Sequence, residues 1–233
     1  MQITYFGHSA FRIETGASVI LIDPFLSGNP HFNGSAQDAS AGVTHIVLSH
    51  SHSDHVGDTV DIASKTGAKV VGTFELVTWL KGKGVPNIEP LNTGGTVRFD
   101  DFSVTLTQAF HSSSNTDDDG KPVYLGMPNG LVLHFTDGPT VYHMGDTDIF
   151  SDMAIIEELH RPKIGMVPVG DRLTMGGAVA ALACRRYFHF DTIVPLHWGT
   201  MPILDASPAK FVEAMEGDAH KVLQPTIGEP FEV

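Results

Sequence analysis

His50-Ser51-His52-Ser53-Asp54-His55 packs three imidazoles and one carboxylate into six residues. Imidazole nitrogen and carboxylate oxygen are the donors that zinc, manganese and iron accept together. On extended backbone, side chains two apart share a face. His50 and His52, following the apolar run THIVLS, can therefore grip one ion, while Asp54 and His55, where the chain turns into a helix, point to a neighbouring one. The competing reading makes these surface histidines at a turn, with Asp54 only capping the helix. Four such residues in this order favour the metal. Two ions held close lower the pKa of a bridging water enough to supply hydroxide at neutral pH and polarise a carbonyl or phosphoryl oxygen, so no protein nucleophile is needed.

The elements around this motif must bring further ligands to it. Short apolar runs QITYF, AFRIE, SVILID and THIVLS read as strands bounded by Gly, Ser, Asn or Pro. A helix is expected from near His55 through VGDTVDIASK to the turn at Gly67, then strand AKVVG, helix FELVTWLKG and strands around TVRF and FSVTLTQAF. The second half repeats this grammar: strands LVLHF and TVYHM, helix SDMAIIEELH, strand KIGMVPV, helix GAVAALACRRYF, strand DTIVPLH, helix SPAKFVEAME and a strand-like tail PFEV. Asn115–Gly120 reads as a solvated loop. Strands alternating with helices in both halves predict an α/β (α+β) chain folded as a four-layer αββα sandwich, with residues 1–233 as one domain.

HSHSDH resembles the H-x-H-x-D-H signature of the metallo-β-lactamase superfamily, and the likeness runs through nearly the whole chain. That family supplies a third histidine for the first ion, a bridging aspartate and a last histidine for the second, each after a later strand. His111 after FSVTLTQAF, Asp146 in YHMGDTD and His197 in IVPLHWGT stand in that order. GHSAF, DPFL, HSS, GDT, GDRLTMG and PLHWGT further resemble the UPF0173-like bacterial metal-dependent hydrolases related to the ascorbate-phosphate lactonases. One departure is visible: after Met175-Gly176 the chain continues Gly177-Ala178-Val179, where a Pro and acidic residues are expected.

The resemblance implies that His50, His52 and His111 bind one ion and Asp54, His55 and His197 the other, with Asp146 bridging. It implies two divalent ions, zinc before manganese or iron, and a metallo-β-lactamase fold. Asp23, ending SVILID, is placed to accept a hydrogen bond from a ligating histidine, with a turn before Pro24 as the equal alternative. His8, in the turn of FGHSAF, is expected at the cavity rim, joining Asp54 and Asp146 as catalytic residues by touching substrate or moving protons. Asp171 and Thr174 are candidates for the cavity wall or for a turn. His143, three residues before Asp146, reads as structural, and Asp148 is the fallback should Asp146 not bridge.

The function this supports is hydrolysis of a lactone, ester, amide or phosphodiester bond in a small substrate, anionic ones included, because two dications outweigh Asp54, Asp146 and a bridging hydroxide. An iron-dependent oxidoreductase of the same fold is the alternative. Di-iron members that reduce oxygen usually carry a carboxylate where His52 stands, whereas persulfide dioxygenases keep the histidines. An RNA-processing nuclease is disfavoured: 14 Lys and Arg face 27 Asp and Glu, for a formal net charge of −13, and an extended nucleic acid needs a basic surface. No apolar run approaches the roughly 20 residues that span a bilayer. The chain opens without a basic and apolar leader, and its one cysteine, Cys184, sits on the apolar face of a helix and fits a reducing compartment. A cytoplasmic enzyme is expected, with homo-oligomerisation left open.

Overall fold

Runs such as Val19–Ile22 and Ile46–Leu48 are apolar on both faces, and in the computed structural model, which describes residues 1–233, both faces are covered. Strands β1 (Gln2–Gly7), β2 (Ala10–Thr15) and β3 (Ser18–Ile22) form an antiparallel meander, which β4 (His45–Val47), β5 (Lys69–Thr73) and β6 (Asn87–Leu91) extend in parallel. A second sheet begins with β7 (Thr96–Arg98) and β8 (Phe102–Gln108). A separate hairpin of β9 (Ser114–Thr116) and β10 (Pro122–Tyr124) follows, and then β11 (Asn129–Phe135), β12 (Val141–His143), β13 (Ile164–Pro168) and β14 (Thr192–Leu196) complete the order β14-β13-β12-β11-β8-β7. The tail strand β15 (Pro230–Glu232) returns to pair with β1.

Helices α1 (Ala36–Ala39), α2 (Ser53–Val56), α3 (Thr59–Thr66) and α4 (Phe74–Gly82) come from the first half; α5 (Met153–His160), α6 (Gly177–Tyr187) and α7 (Ala209–Ala214) from the second. The period of two then builds the layers. Ile20, Ile22 and Val47 point inward to meet Leu106, Leu131 and Met166 between the sheets. Leu21, Ile46 and Leu48 point outward, against Ile62 of α3 and Leu76 and Leu80 of α4. On the far side Val132, Tyr142 and Val167 meet Met153 of α5, Ala180 and Cys184 of α6 and Phe211 of α7. This is the αββα sandwich; each such apolar side chain contributes about 1.5–3 kcal/mol when fully buried.

Two expectations change, and one strand adds to them. The helix foreseen from His55 to Gly67 is two helices, because the chain breaks at Gly57, with φ of 43°. The loop Asn115–Gly120 is part of a hairpin, with Asn115 paired to Val123 and a turn in which Asp117 N–H donates to the Lys121 carbonyl at 2.9 Å. Asn87–Leu91 is a strand despite Pro90, which an edge position tolerates.

The register places one set of loops at one end of the sandwich. The β1–β2 turn and the ends of β3 and β4 meet there, as do the end of β8, the start of β11 and the ends of β12, β13 and β14. Every residue singled out for chemistry lies on these loops. No helix is long and apolar enough to cross a membrane.

Candidate metal centre

Asp146 follows β12 and turns its carboxylate into a ring of imidazoles. Its Oδ2 lies 3.0 Å from His197 Nε2, 3.3 Å from His55 Nε2, 3.6 Å from His111 Nε2 and 4.0 Å from His50 Nε2. His50 Nε2 is 2.9 Å from His52 Nδ1. Donor atoms of His50, His52 and His111 gather within 4.8 Å of one another; so do those of His8, Asp54, His55 and His197, and those of His50, His55 and Asp146. The fold thus brings together all seven residues proposed as ligands, plus His8.

The polar atoms of this arrangement fit a metal. His55 Nε2, both nitrogens of His197 and Asp146 Oδ1 are buried without a hydrogen-bond partner. Such groups cost on the order of 1–3 kcal/mol each when left unpaired, and two of them, His55 Nε2 and His197 Nε2, lie 3.3 and 3.0 Å from Asp146 Oδ2. Burial, reinforced by the charge on His55, holds His50 well below the usual imidazole range, and burial likewise lowers His52 and His111. These three stay neutral at neutral pH, and each ring keeps one lone pair that an ion could take. Burial works against a charged His55, but Asp146 and Asp23 outweigh it and raise the ring well above its usual range. Asp146, opposed by burial, stays well below the carboxylate range because His197 and His55 face it.

Hydrogen bonds from outside the ring orient its members. Asp23, fully buried, receives His55 Nδ1–H at 2.7 Å, the Ser49 amide at 2.8 Å and the Ser49 hydroxyl. Ser49 Oγ also stands 3.0 Å from His50 Nδ1. Asn115 Nδ2 donates to the Ser51 carbonyl at 2.7 Å, and the Ser51 amide donates to Ser113 Oγ at 3.2 Å. The hairpin therefore braces the HSHSDH loop.

His8 departs from its expected place. Its side chain has no exposed surface, so it lies beneath the centre and not at the rim. Nε2 is 3.0 Å from Asp54 Oδ2 and Nδ1 is 2.6 Å from Thr200 Oγ1. Burial, with His197 nearby, lowers the ring to about 4, so it is neutral at pH 7. One proton must serve two nitrogens: Thr200 donates to Nδ1, and Nε2–H donates to Asp54. That bond outweighs burial and holds the Asp54 carboxyl well below its usual range.

His8, Asp23 and His197 all have positive φ, at 54°, 42° and 60°. Non-glycine residues pay on the order of 1 kcal/mol or more there, and such strain clusters at functional sites. The His8 carbonyl fixes this geometry by accepting the His197 amide at 2.8 Å and the Tyr5 hydroxyl at 3.0 Å.

Other candidates fall outside. Asp171–Met175 closes as a turn, with Asp171 N–H donating to the Met175 carbonyl and Thr174 N–H to the Asp171 carbonyl, both at 3.1 Å, and Asp171 is exposed. Asp148 bonds its neighbour Ile149 and is exposed. His143 is structural: Nδ1 accepts the Gly145 amide and Nε2 donates to the Ser9 carbonyl, both at 3.1 Å. Cys184 is buried on α6, and burial pushes its thiol up. Ser49, Ser113 and Thr200 are the residues that sequence patterns did not single out. The one signal was position, inside HSS and HWGT or beside His50.

The model of the β-lactamase superfamily domain matches residues 2–197. A UPF0173 metal-dependent hydrolase of Agrobacterium fabrum is 57% identical over 230 residues, 98% of each chain, and one of Methylocella silvestris is 58% identical over 228, again 98% of each. A metallo hydrolase from the archaeon Ignicoccus hospitalis superposes with a TM-score of 0.86 at 33% identity, covering 100% of this chain and 98% of its own. The chain belongs to the β-lactamase superfamily and, within it, to the UPF0173 metal-dependent hydrolases. It is a metal-dependent hydrolase, and its His and Asp cluster is able to bind metal.

Proposed function

We propose that this hydrolase works with two divalent ions, zinc before manganese or iron, and cleaves a lactone, ester, amide or phosphodiester bond in a small molecule. His50, His52 and His111 would hold one ion, and Asp54, His55 and His197 the other, with Asp146 between them. One observation carries the reading: a single carboxylate oxygen, Asp146 Oδ2, sits within 3.0 to 4.0 Å of four Nε2 atoms drawn from both sets.

Divalent ions bound there supply Lewis acidity, lowering the pKa of water and polarising the oxygen of the scissile group. The chain's own part is positioning. Asp23 holds His55 by Nδ1 and leaves Nε2 aimed into the centre. His8 holds the Asp54 carboxylate and does not face substrate, which makes it a positioning residue. Burial of His50, His55, Asp146 and His197 excludes water from one side, so that reactants enter past the half-exposed His52, Asp54 and His111.

The test is a panel of chromogenic lactones, esters, phosphodiesters and a β-lactam, run on protein of measured metal content. Turnover of one class that scales with ion content, at close to two ions per chain, is expected. A clean stoichiometry of one in metal-replete protein would sink the two-ion claim.

A further inference from the structure

The loops that meet around the open side of the centre carry little positive charge. Residues 23–35, 48–52, 92–95, 109–113, 125–128, 144–152, 169–176 and 197–208 hold one Lys or Arg between them, Arg172. Against it stand the exposed Asp148, Asp152 and Asp171. An anionic substituent such as a phosphate would find one cation and three acids there.

Large apolar side chains are exposed at the same end: Phe110 (54%), Tyr124 (64%), Met127 (53%), Leu173 (41%) and Ile203 (51%). Two pairs are tied to the centre through neighbouring residues. Phe110 precedes His111, its backbone bonds Thr147 and Asp148, and its ring lies 5.2 Å from that of Phe150. The Tyr124 hydroxyl donates to Met127 Sδ at 3.0 Å, and the Met127 carbonyl accepts from Asn129, whose own amide donates to Ser49, the neighbour of His50. One pair thus adjoins His111 and the other is linked through Asn129 to the HSHSDH loop, whose His52, like His111, keeps exposed surface. Exposed apolar patches rimmed by polar residues mark binding surfaces.

We propose that the substrate carries an uncharged apolar group, acyl or aryl, next to the bond cleaved, and that Phe110, Tyr124 and Met127 seat it. This rests on reading the centre as a hydrolytic metal site. It replaces the anionic substrate with an apolar one, for the rim supplies area and little positive charge.

The test uses straight-chain hydroxamates, whose head group chelates ions without turnover, on metal-loaded full-length protein. Burying each added methylene is worth about fourfold in affinity, so octanohydroxamate should bind roughly 100-fold or more tighter than acetohydroxamate, allowing for partial burial. In Phe110→Ala and Met127→Ala the ratio of the two affinities should fall below about tenfold, while Phe110→Leu should restore most of it. Unchanged metal content in each variant shows that the centre has survived. A ratio near one in the wild type overturns the proposal. A flat ratio with a wild-type dimer that dissociates in Phe110→Ala also overturns it, by assigning the patch to a second copy. Failure of metal-loaded protein to bind even acetohydroxamate brings down the metal-centre reading itself, and this proposal with it.

Discussion

Thr200 Oγ1 lies 2.6 Å from His8 Nδ1 and donates to it, because the one proton of this neutral, buried imidazole sits on Nε2, opposite the acceptor-only Asp54 carboxylate. With Nδ1 accepting, Nε2–H faces Asp54 Oδ2 at 3.0 Å and keeps that carboxylate in place. Thr200→Val removes the donor with little change in volume. The expected result is a 10- to 100-fold weaker affinity for one of two ions, the scale seen when an outer hydrogen bond to a ligand is lost, with folding cooperativity retained. Thr200→Ser, which keeps the hydroxyl, should rescue it. Equal metal titrations for the Val and wild-type proteins would show that His8 is held by packing alone.

Asp146 separates the bridging reading from a simple ion-pair reading. Its Oδ2 faces His55 and His197 at 3.3 and 3.0 Å, so Asp146→Asn replaces a buried anion by a neutral amide of the same shape. Metal content should fall from close to two ions per chain towards one, with turnover down by at least roughly 10²-fold. A variant with wild-type metal content and kinetics would remove Asp146 from the centre.

Much of this site was legible because its ligands come as a local pattern or at strand ends. HSHSDH is contiguous, and His111, Asp146 and His197 each follow an apolar run that had to be a strand. Asp23 was legible only as one of two equal readings, and its bonds to Ser49 and His55 favour the one that orients a ligand. What could not be read was depth. Nothing in FGHSAF says that His8 lies under Asp54, because its burial comes from the His8 carbonyl meeting the His197 amide, 189 positions away in sequence. Thr200 was hidden for the same reason. The break at Gly57 was missed because a glycine inside a helical pattern looks like a tolerated defect until the Pro24 loop is seen packed against it.

His143 gives a pH test at a group that is not one of the proposed ligands. It is buried, bonded at both nitrogens, and burial lowers it below the usual imidazole range. The unfolded chain therefore binds a proton there more readily than the folded one. Its contribution to stability is fully present above about pH 6.5 and is lost as pH falls towards the depressed folded value. His143→Gln cannot charge, so the difference in melting temperature between wild type and variant should shrink from pH 7.5 to pH 5. Metal content should not change. A difference constant over that range would mean that His143 titrates alike in both states.

The conformation of Gly57 couples the HSHSDH loop to the loop carrying Asp23, and the coupling can be broken without touching a ligand. Gly57 has φ of 43° and ψ of −124°, a region open essentially to glycine alone. A Cβ there would lie 2.4 Å from the Pro24 carbonyl oxygen and 2.6 Å from Phe25 Cα, both backbone atoms that cannot swing aside. The close approach is held by the Asp58 amide, donating to the Pro24 carbonyl at 3.0 Å, and by the Asp58 carboxylate, which accepts the amides of Leu26 and Ser27 at 2.9 and 2.8 Å. Moving this loop moves Asp23 and so its 2.7 Å bond to His55. Gly57→Ala should therefore cost about 2 kcal/mol or more of stability and weaken metal binding as well. Gly67, which caps α3 at φ of 74° with nothing within 4 Å of its would-be Cβ, is the control. Gly67→Ala should cost only about 1 kcal/mol and leave metal affinity unchanged. Equal losses of stability with metal binding intact in both would mean that the Gly57 contact bears on folding and not on the centre.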